Sequence, residues 1–267
     1  YKEYKTYYYF MKNQYESILG TDIWKYNKAV KDKSVGQEAI ESVLRQIIQV
    51  KVIGKEAAIE KVQLETDEKE EADYRAKTVF DSISAKDKQT QGIELKVLSK
   101  IFEENKLAQK MYNVQMGKLK IDYAANTLSA AKVELIYQAA NAKNKETVKN
   151  TMSQILSEVT SSQNSFYTVA KNKTQADAIE YVIGNQDSRT NLAKAVVSLK
   201  KNQTSALIEE KDGFYIAHCI QTNSAALQQQ YRNQLVSEKQ TESFQKTYKI
   251  WSDKFDVKVS KALLAAN

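Results

Sequence analysis

None of the 267 residues of this chain is a proline, where average usage would supply about 5%. Proline breaks the helical hydrogen-bond ladder and restrains the residue before it, so its absence makes long uninterrupted helices the leading expectation. With 42% hydrophobic and 27% charged residues, the chain can bury one large core or two modest ones, and it is not a disordered tail. One cysteine, Cys219, and one histidine, His218, exclude an intrachain disulfide. They also remove the raw material for a thiolate or imidazole metal cage and for most triad chemistry. No cofactor is expected. The net charge is +7, from 40 basic and 33 acidic residues, but the signs are mixed along the chain and no basic block tracks phosphates, so nucleic acid is not an expected partner. No stretch approaches the roughly 20 apolar residues of a membrane span, and Tyr1-Lys2-Glu3-Tyr4 does not open a signal segment. The chain is expected to be soluble.

Helical spacing organises the first half. Tyr4, Tyr7, Tyr8, Met11, Tyr15, Ile18 and Leu19 lie on one helical stripe that ends at Gly20. Ile40, Val43, Leu44, Ile47 and Ile48 form a stronger stripe over about 36–54 or beyond. Asp67 and Glu70 have capping-box spacing ahead of a third helix with Tyr74, Val79, Phe80 and Ile83 as its apolar side. Leu95, Leu98, Ile101, Phe102, Met111 and Tyr112 predict one long helix or two consecutive ones ending before Asn126. Residues 1–126 are read as all-helical.

Near Ser129 the pattern changes. A short β-branched run at Val133–Tyr137 precedes a helical stripe at Val148, Met152, Ile155, Leu156 and Val159, and Phe166, Val169 and Ala170 predict another short helix. Ile179–Ile183 is read as a strand, and Leu192, Ala195, Val196 and Leu199 as a helix. Two strands, about 206–209 and 214–221, flank the turn signal Asp212-Gly213. After Asn223 helix returns, with Leu235, Phe244, Tyr248 and Trp251 on one face, and Phe255, Val257 and Val259 alternate as a terminal strand without a local partner. A lone strand must pair with something distant, so the pattern predicts a discontinuous helical domain, 1–128 with 225–267, interrupted by a second domain at 129–224. The fold class is α+β, mainly helical.

That layout resembles the SurA/PrsA-like foldases, whose inserted module is a parvulin-type (FKBP-like) peptidyl-prolyl isomerase with an antiparallel sheet. The residues that carry the resemblance are Leu199-Lys200-Lys201-Asn202-Gln203-Thr204-Ser205, like the "LkxGexS" segment with Asn202 at its glycine, Gly213-Phe214-Tyr215-Ile216-Ala217, like the closing "G-[FY]-H-I-I" strand, and Phe166–Lys171, like the "FxxLAk" helix. The family's two cleft histidines are both replaced. The first falls on Glu134 or Leu135 and the second on Tyr215. The polar Asp or Cys of the family maps near Thr174–Asp177, with Ala176 at the nearest match and Asp177 one step away. The Met and Phe of the proline pocket map onto Ser188 and Leu192.

Adjacent on a predicted strand, His218 and Cys219 point to opposite faces and form no dyad. Tyrosines crowd the N-terminus at Tyr1, Tyr4, Tyr7, Tyr8, Tyr9 and Tyr15. Tyr4, Tyr8 and Tyr15 fit core packing, whereas Tyr9 falls off the stripe and is the candidate for client contact. Trp24 and Trp251 are read as anchors within the helical domain.

The resemblance implies an extracytoplasmic folding factor for unfolded or nascent secreted polypeptides, with a degenerate isomerase module. It implies a cell-surface or periplasm-equivalent location, with any membrane attachment through a lipid anchor outside this chain, and it is compatible with a homodimer. The family's signal or lipobox segment and leading strand do not precede the first helix here, so the sequence is read as starting within the mature protein. Two alternatives stay open: an active isomerase with a variant cleft, and a structural or adhesive helical surface protein.

Overall fold

The computed structural model describes residues 1–25, 34–124, 127–161 and 165–259. The chain forms two compact units: Tyr1–Lys120 with the residues from Gln240 onward, and Ile121–Lys239.

In the first unit every regular element among the described residues is helical: α1 (Lys2–Leu19), α2 (Val35–Ile59), α3 (Thr66–Ser82), α4 (Ala85–Gln91), α5 (Leu95–Gly117) and the later part of α9 (Ala225–Ser252). Gly20 closes α1 in the left-handed region at φ 78°, which costs glycine little. At α2 the Ser34 hydroxyl accepts the Gln37 N–H at 3.2 Å while the Gln37 side chain accepts the Ser34 N–H at 3.0 Å, a reciprocal cap. The box opening α3 lies two residues earlier than the spacing predicts, with Glu65 as N-cap and Glu68 as its partner. Acidic residues recur through this stretch, so spacing alone does not select the register. On the predicted apolar side of α3, Ile83 at the helix end is buried and Val79 and Phe80 are half-buried, but Tyr74 is exposed and the buried positions within the helix are Ala72 and Ala76. Those small side chains face α5, which also sends Lys106 to Glu71 and Lys110 to Glu68.

Tyr4, Tyr7, Val43 and Ile101 form one core cluster of this unit. Val52, Ile53, Ala57, Met111 and Trp251 form another, edged by Phe244 and Tyr248. The end predicted at Asn126 lies outside the described residues, and α5 itself stops at Gly117. Phe255–Val259 belongs to no ladder, contrary to the strand its alternation predicts. It runs beside Leu44, Ile47 and Ile48 of α2, and a helix has already used its interior N–H and C=O groups.

The second unit holds β1 (Ala130–Ala139), α6 (Lys145–Ser161), α7 (Phe166–Lys173), β2 (Glu180–Gly184), α8 (Thr190–Ser198), β3 (Ile208–Glu210), β4 (Gly213–Gln221) and the first part of α9. The sheet is antiparallel in the order β2-β1-β4-β3. Strand alternation sends Val133, Leu135, Tyr215, Ala217 and Cys219 to the α8 face. Ile136, Phe214 and Ile216 go to the face covered by α6 and α7. A third cluster joins Leu128 and Ala130 to Leu227, Tyr231 and Leu235 of α9, so Leu235 does not share a core with Trp251. The fold is α+β, mainly helical, with one small antiparallel sheet.

Candidate functional site

The α8 face of the sheet carries an aromatic and charged cluster. Tyr137 of β1 and Tyr215 of β4 are direct cross-strand partners, and their rings stack with centroids 4.6 Å apart. The hairpin that aims them depends on Gly213, where a Cβ would come within 2.2 Å of the Gln138 carbonyl oxygen. Asp212, one residue earlier, collects both phenols: Tyr215 Oη donates to its carboxylate at 2.6 Å and Tyr137 Oη to its backbone carbonyl at 3.1 Å. Arg189 lies with its guanidinium carbon 5.5 Å from the Tyr215 ring centroid. The guanidinium donates from Nε and Nη2 to the two carboxylate oxygens of Asp187, at 2.9 and 2.7 Å. Burial, followed by the Asp212 carboxylate, pushes the Tyr215 hydroxyl well above the ordinary phenol range, with Arg189 opposing. Tyr137 is raised as well, mainly by burial.

These groups define what the face can do. Both phenols remain neutral near pH 7, and each has its single proton committed to Asp212. No imidazole stands on this face, because its one candidate lies on the other side of the sheet. There, His218 faces Glu134 across the ladder, stacks on Phe166 at 5.3 Å and shares a hydrogen bond of 2.9 Å between Nδ1 and the Thr204 hydroxyl. Burial depresses the His218 pKa and raises that of Glu134, with Glu180 adding to the latter. Cys219 packs on the α8 face, so it cannot pair with His218.

The structure thus separates the two first-strand alternatives. Leu135 shares the α8 face with Tyr215 but is 1% exposed within the core, whereas Glu134 turns to the α6/α7 face. Leu192 is fully buried beneath the same face, a floor residue with no surface of its own. Asp177 and Ser188 are exposed, in the connections before β2 and α8. Tyr9 is half-buried and donates to Asp87 Oδ2 at 3.3 Å. Sequence reasoning missed Tyr137, Asp212 and Arg189. Counting outward from the Asp212-Gly213 turn pairs Tyr215 with Ile208. Its pairing with Tyr137 on β1 is set by non-local register and had no local signal.

Asn202, at the glycine of the "LkxGexS" pattern, adopts φ 63°, a left-handed conformation that asparagine tolerates better than most residues. Its N–H reaches the Cys219 carbonyl at 2.7 Å. Ser205, the serine of that pattern, is buried and its Oγ accepts the Ala217 N–H at 3.0 Å. The pattern therefore pins the segment before β3 onto β4.

A separate concavity of about 500 Å³ lies in the helical unit, among Tyr7, Phe10, Met11, Leu98, Ile101 and Phe102. Among the described residues no three His, Cys, Asp or Glu side chains are grouped to hold a metal ion. No helix among them is long and apolar enough to cross a membrane.

Residues 128–221 match the family model for Rotamase, the PPIC-type PPIASE domain. No curated protein sequence matches the chain. Among solved structures, the peptidylprolyl isomerase PrsA of Bacillus anthracis is similar at 15% identity and a TM-score of 0.44, over 81% of this chain and 99% of that one. The foldase protein PrsA of Lactococcus lactis is similar at 15% identity and 0.39, over 89% and 93%. The SurA-like chaperone structure from Campylobacter jejuni is similar at 12% identity and 0.31, over 89% and 92%. The family-model match is confined to residues 128–221, where the chain is similar to the PPIC-type rotamase domain.

Proposed function

We propose that this chain is an extracytoplasmic protein-folding factor that binds unfolded or partly folded polypeptides, and that its rotamase-type domain turns over prolyl bonds little or not at all. In this reading residues 1–128 with 225–267 form the client-binding domain and 129–224 a binding or spacing module, held at the cell surface by an anchor outside the chain. The observation that carries the catalytic half is the Tyr137–Tyr215 stack on the α8 face of the sheet. A prolyl isomerase lowers a barrier of about 18–20 kcal/mol by holding the ring and a twisted, desolvated amide, with no covalent step. Here the two phenols spend their protons on Asp212 and Leu135 and Leu192 are packed into the core. Little remains to orient an amide.

A protease-coupled assay on a proline tetrapeptide at micromolar protein tests the catalytic half. The expected rate stays within about twofold of the uncatalysed one, a barrier change of roughly 0.4 kcal/mol; tenfold acceleration establishes the variant-cleft isomerase instead. Suppression of aggregation of a reduced, unfolded protein at stoichiometric ratio tests the binding half. No suppression, together with no binding to peptide arrays, leaves the structural surface protein.

A further inference from the structure

Helix α3 is held to the helical unit by different forces from its neighbours. Its buried side chains are Ala72 and Ala76, which supply little apolar area, whereas α2 buries Val43, Val50, Val52 and Ile53. Over the first three turns of α3, what crosses from α5 is charge. Lys110 Nζ donates to Glu68 Oε2 at 2.6 Å and lies 3.7 Å from Glu65 Oε1. Lys106 donates to Glu71, which Arg75 also meets at 2.6 Å from within α3. The side chains of Lys110 and Glu68 are each 24% exposed, and those of Lys106 and Glu71 33% and 41%, so dissolved ions reach all four. The lysine hydrogen bonds hold the Glu68 and Glu71 carboxyls below the ordinary carboxylate range. Apolar anchors stand outside this charged stretch: Leu64 before the helix and Ile83 after it are buried, and Val79 and Phe80 near its end are half-buried.

We infer that α3 is an ionic strap, closed over α5 at low salt and opened between its Leu64 and Ile83 anchors as ionic strength rises, which uncovers the side of α5 that carries Lys106 and Lys110. Exposed ion pairs lose attraction as the screening length falls from roughly 30 Å at 0.01 M salt to about 3 Å at 1 M. The apolar contacts around Val52 and Ile53 do not depend on that length. One surface pair contributes little, but three carboxylates sharing two lysines form a network. Helix α3 has little else to set against the entropy of a freed segment. The helical unit thus carries one element whose closure answers to salt while the rest of its core does not.

Hydrogen exchange of the full chain at neutral pH, followed by mass spectrometry in about 0.01 M and about 1 M sodium chloride, tests the strap. Amides of residues 68–80 should exchange at least about fivefold faster at the higher salt, while those of 50–57 in α2 change less than about twofold. Lys106→Gln with Lys110→Gln should show the fast exchange already at low salt and lose the salt dependence. Lys77→Gln removes a cation that pairs with Asp81 within α3 itself, and it should leave the salt response intact. Exchange in α3 that ignores salt overturns the strap. So does an equal rise in α3 and α2, which would mean that the helical unit opens as one block. A salt response that survives in the double variant, or disappears in Lys77→Gln, overturns the assignment to Lys106 and Lys110. If the double variant does not fold, the wild-type comparison between the two salts still decides.

Discussion

His218 stands on the α6/α7 face with its ring against Phe166 and its Nδ1 on Thr204. Burial holds its pKa below the ordinary 6.5. The unfolded chain therefore takes up this proton first as pH falls. Stability is lost from about pH 6.5 downward until the depressed value is passed, and it is recovered as pH rises. Glu134 opposes this, because its raised pKa makes the folded state the better proton binder just above the ordinary carboxylate range. Comparing wild type with His218→Gln by urea denaturation between pH 7.5 and 5 isolates the imidazole. Wild type should lose stability relative to the variant on acidification, and parallel pH profiles would disprove the assignment.

Helix α8 shows how one element is positioned by another. Its N-cap residue, Arg189, provides no side-chain cap, and the carboxylate of Glu210 on β3 does that work from across the fold. Glu210 Oε1 accepts the N–H groups of Asn191 at 2.7 Å and Leu192 at 2.9 Å, a negative charge at the positive end of the helix dipole. This contact ties α8 to the sheet edge and fixes the height of Leu192 under the tyrosine stack. Glu210→Ala should cost about 1–2 kcal/mol, read as a lower midpoint in thermal unfolding of the sheet unit, whereas an unchanged midpoint would show that water replaces the carboxylate. At the other edge, the last residue of β2 must be Gly184, because a Cβ there would come within 2.4 Å of the Tyr231 ring and 2.5 Å of the Ser129 carbonyl oxygen. Tyr231 Oη accepts the Gln186 N–H at 3.0 Å, and burial pushes this phenol up to about 12. Helix α9 is thereby seated on the sheet unit by its first half.

Across the whole chain, α9 contributes to two separate cores. Leu227, Tyr231 and Leu235 belong to the sheet unit, and Phe244, Tyr248 and Trp251 to the helical one. Glu56, 2% exposed, accepts from Lys254 Nζ at 3.0 Å on both oxygens, so the chain just after α9 is also tied to α2. Trp251→Ala should then destabilise the helical unit by about 3–5 kcal/mol, seen as a large drop in its unfolding midpoint, while the transition of the sheet unit moves little. Equal shifts of both transitions would show that the two cores unfold as one cooperative block.

The helices and the hairpin were readable from residue order, because their causes are local. Without proline nothing interrupts the ladder and Asp212-Gly213 marks the turn, but the 3.6-residue stripes reach too far at Ile18, Leu19 and Tyr74, which are exposed. The remainder depended on partners distant in sequence. Alternation at Phe255–Val259 describes a strand, but a ladder needs a second backbone with free N–H and C=O groups, and α2 has none to offer. Periodicity placed Leu235 with Trp251, and packing sent them to different cores. Which residue meets Tyr215 was settled by strand register, and the Asp212, Arg189 and Glu210 contacts by the closing of the hairpin and α8 over the sheet. Local sequence encodes hydrogen bonds a few residues apart, whereas a functional surface forms where side chains far apart in the chain compete for the same space and the same protons.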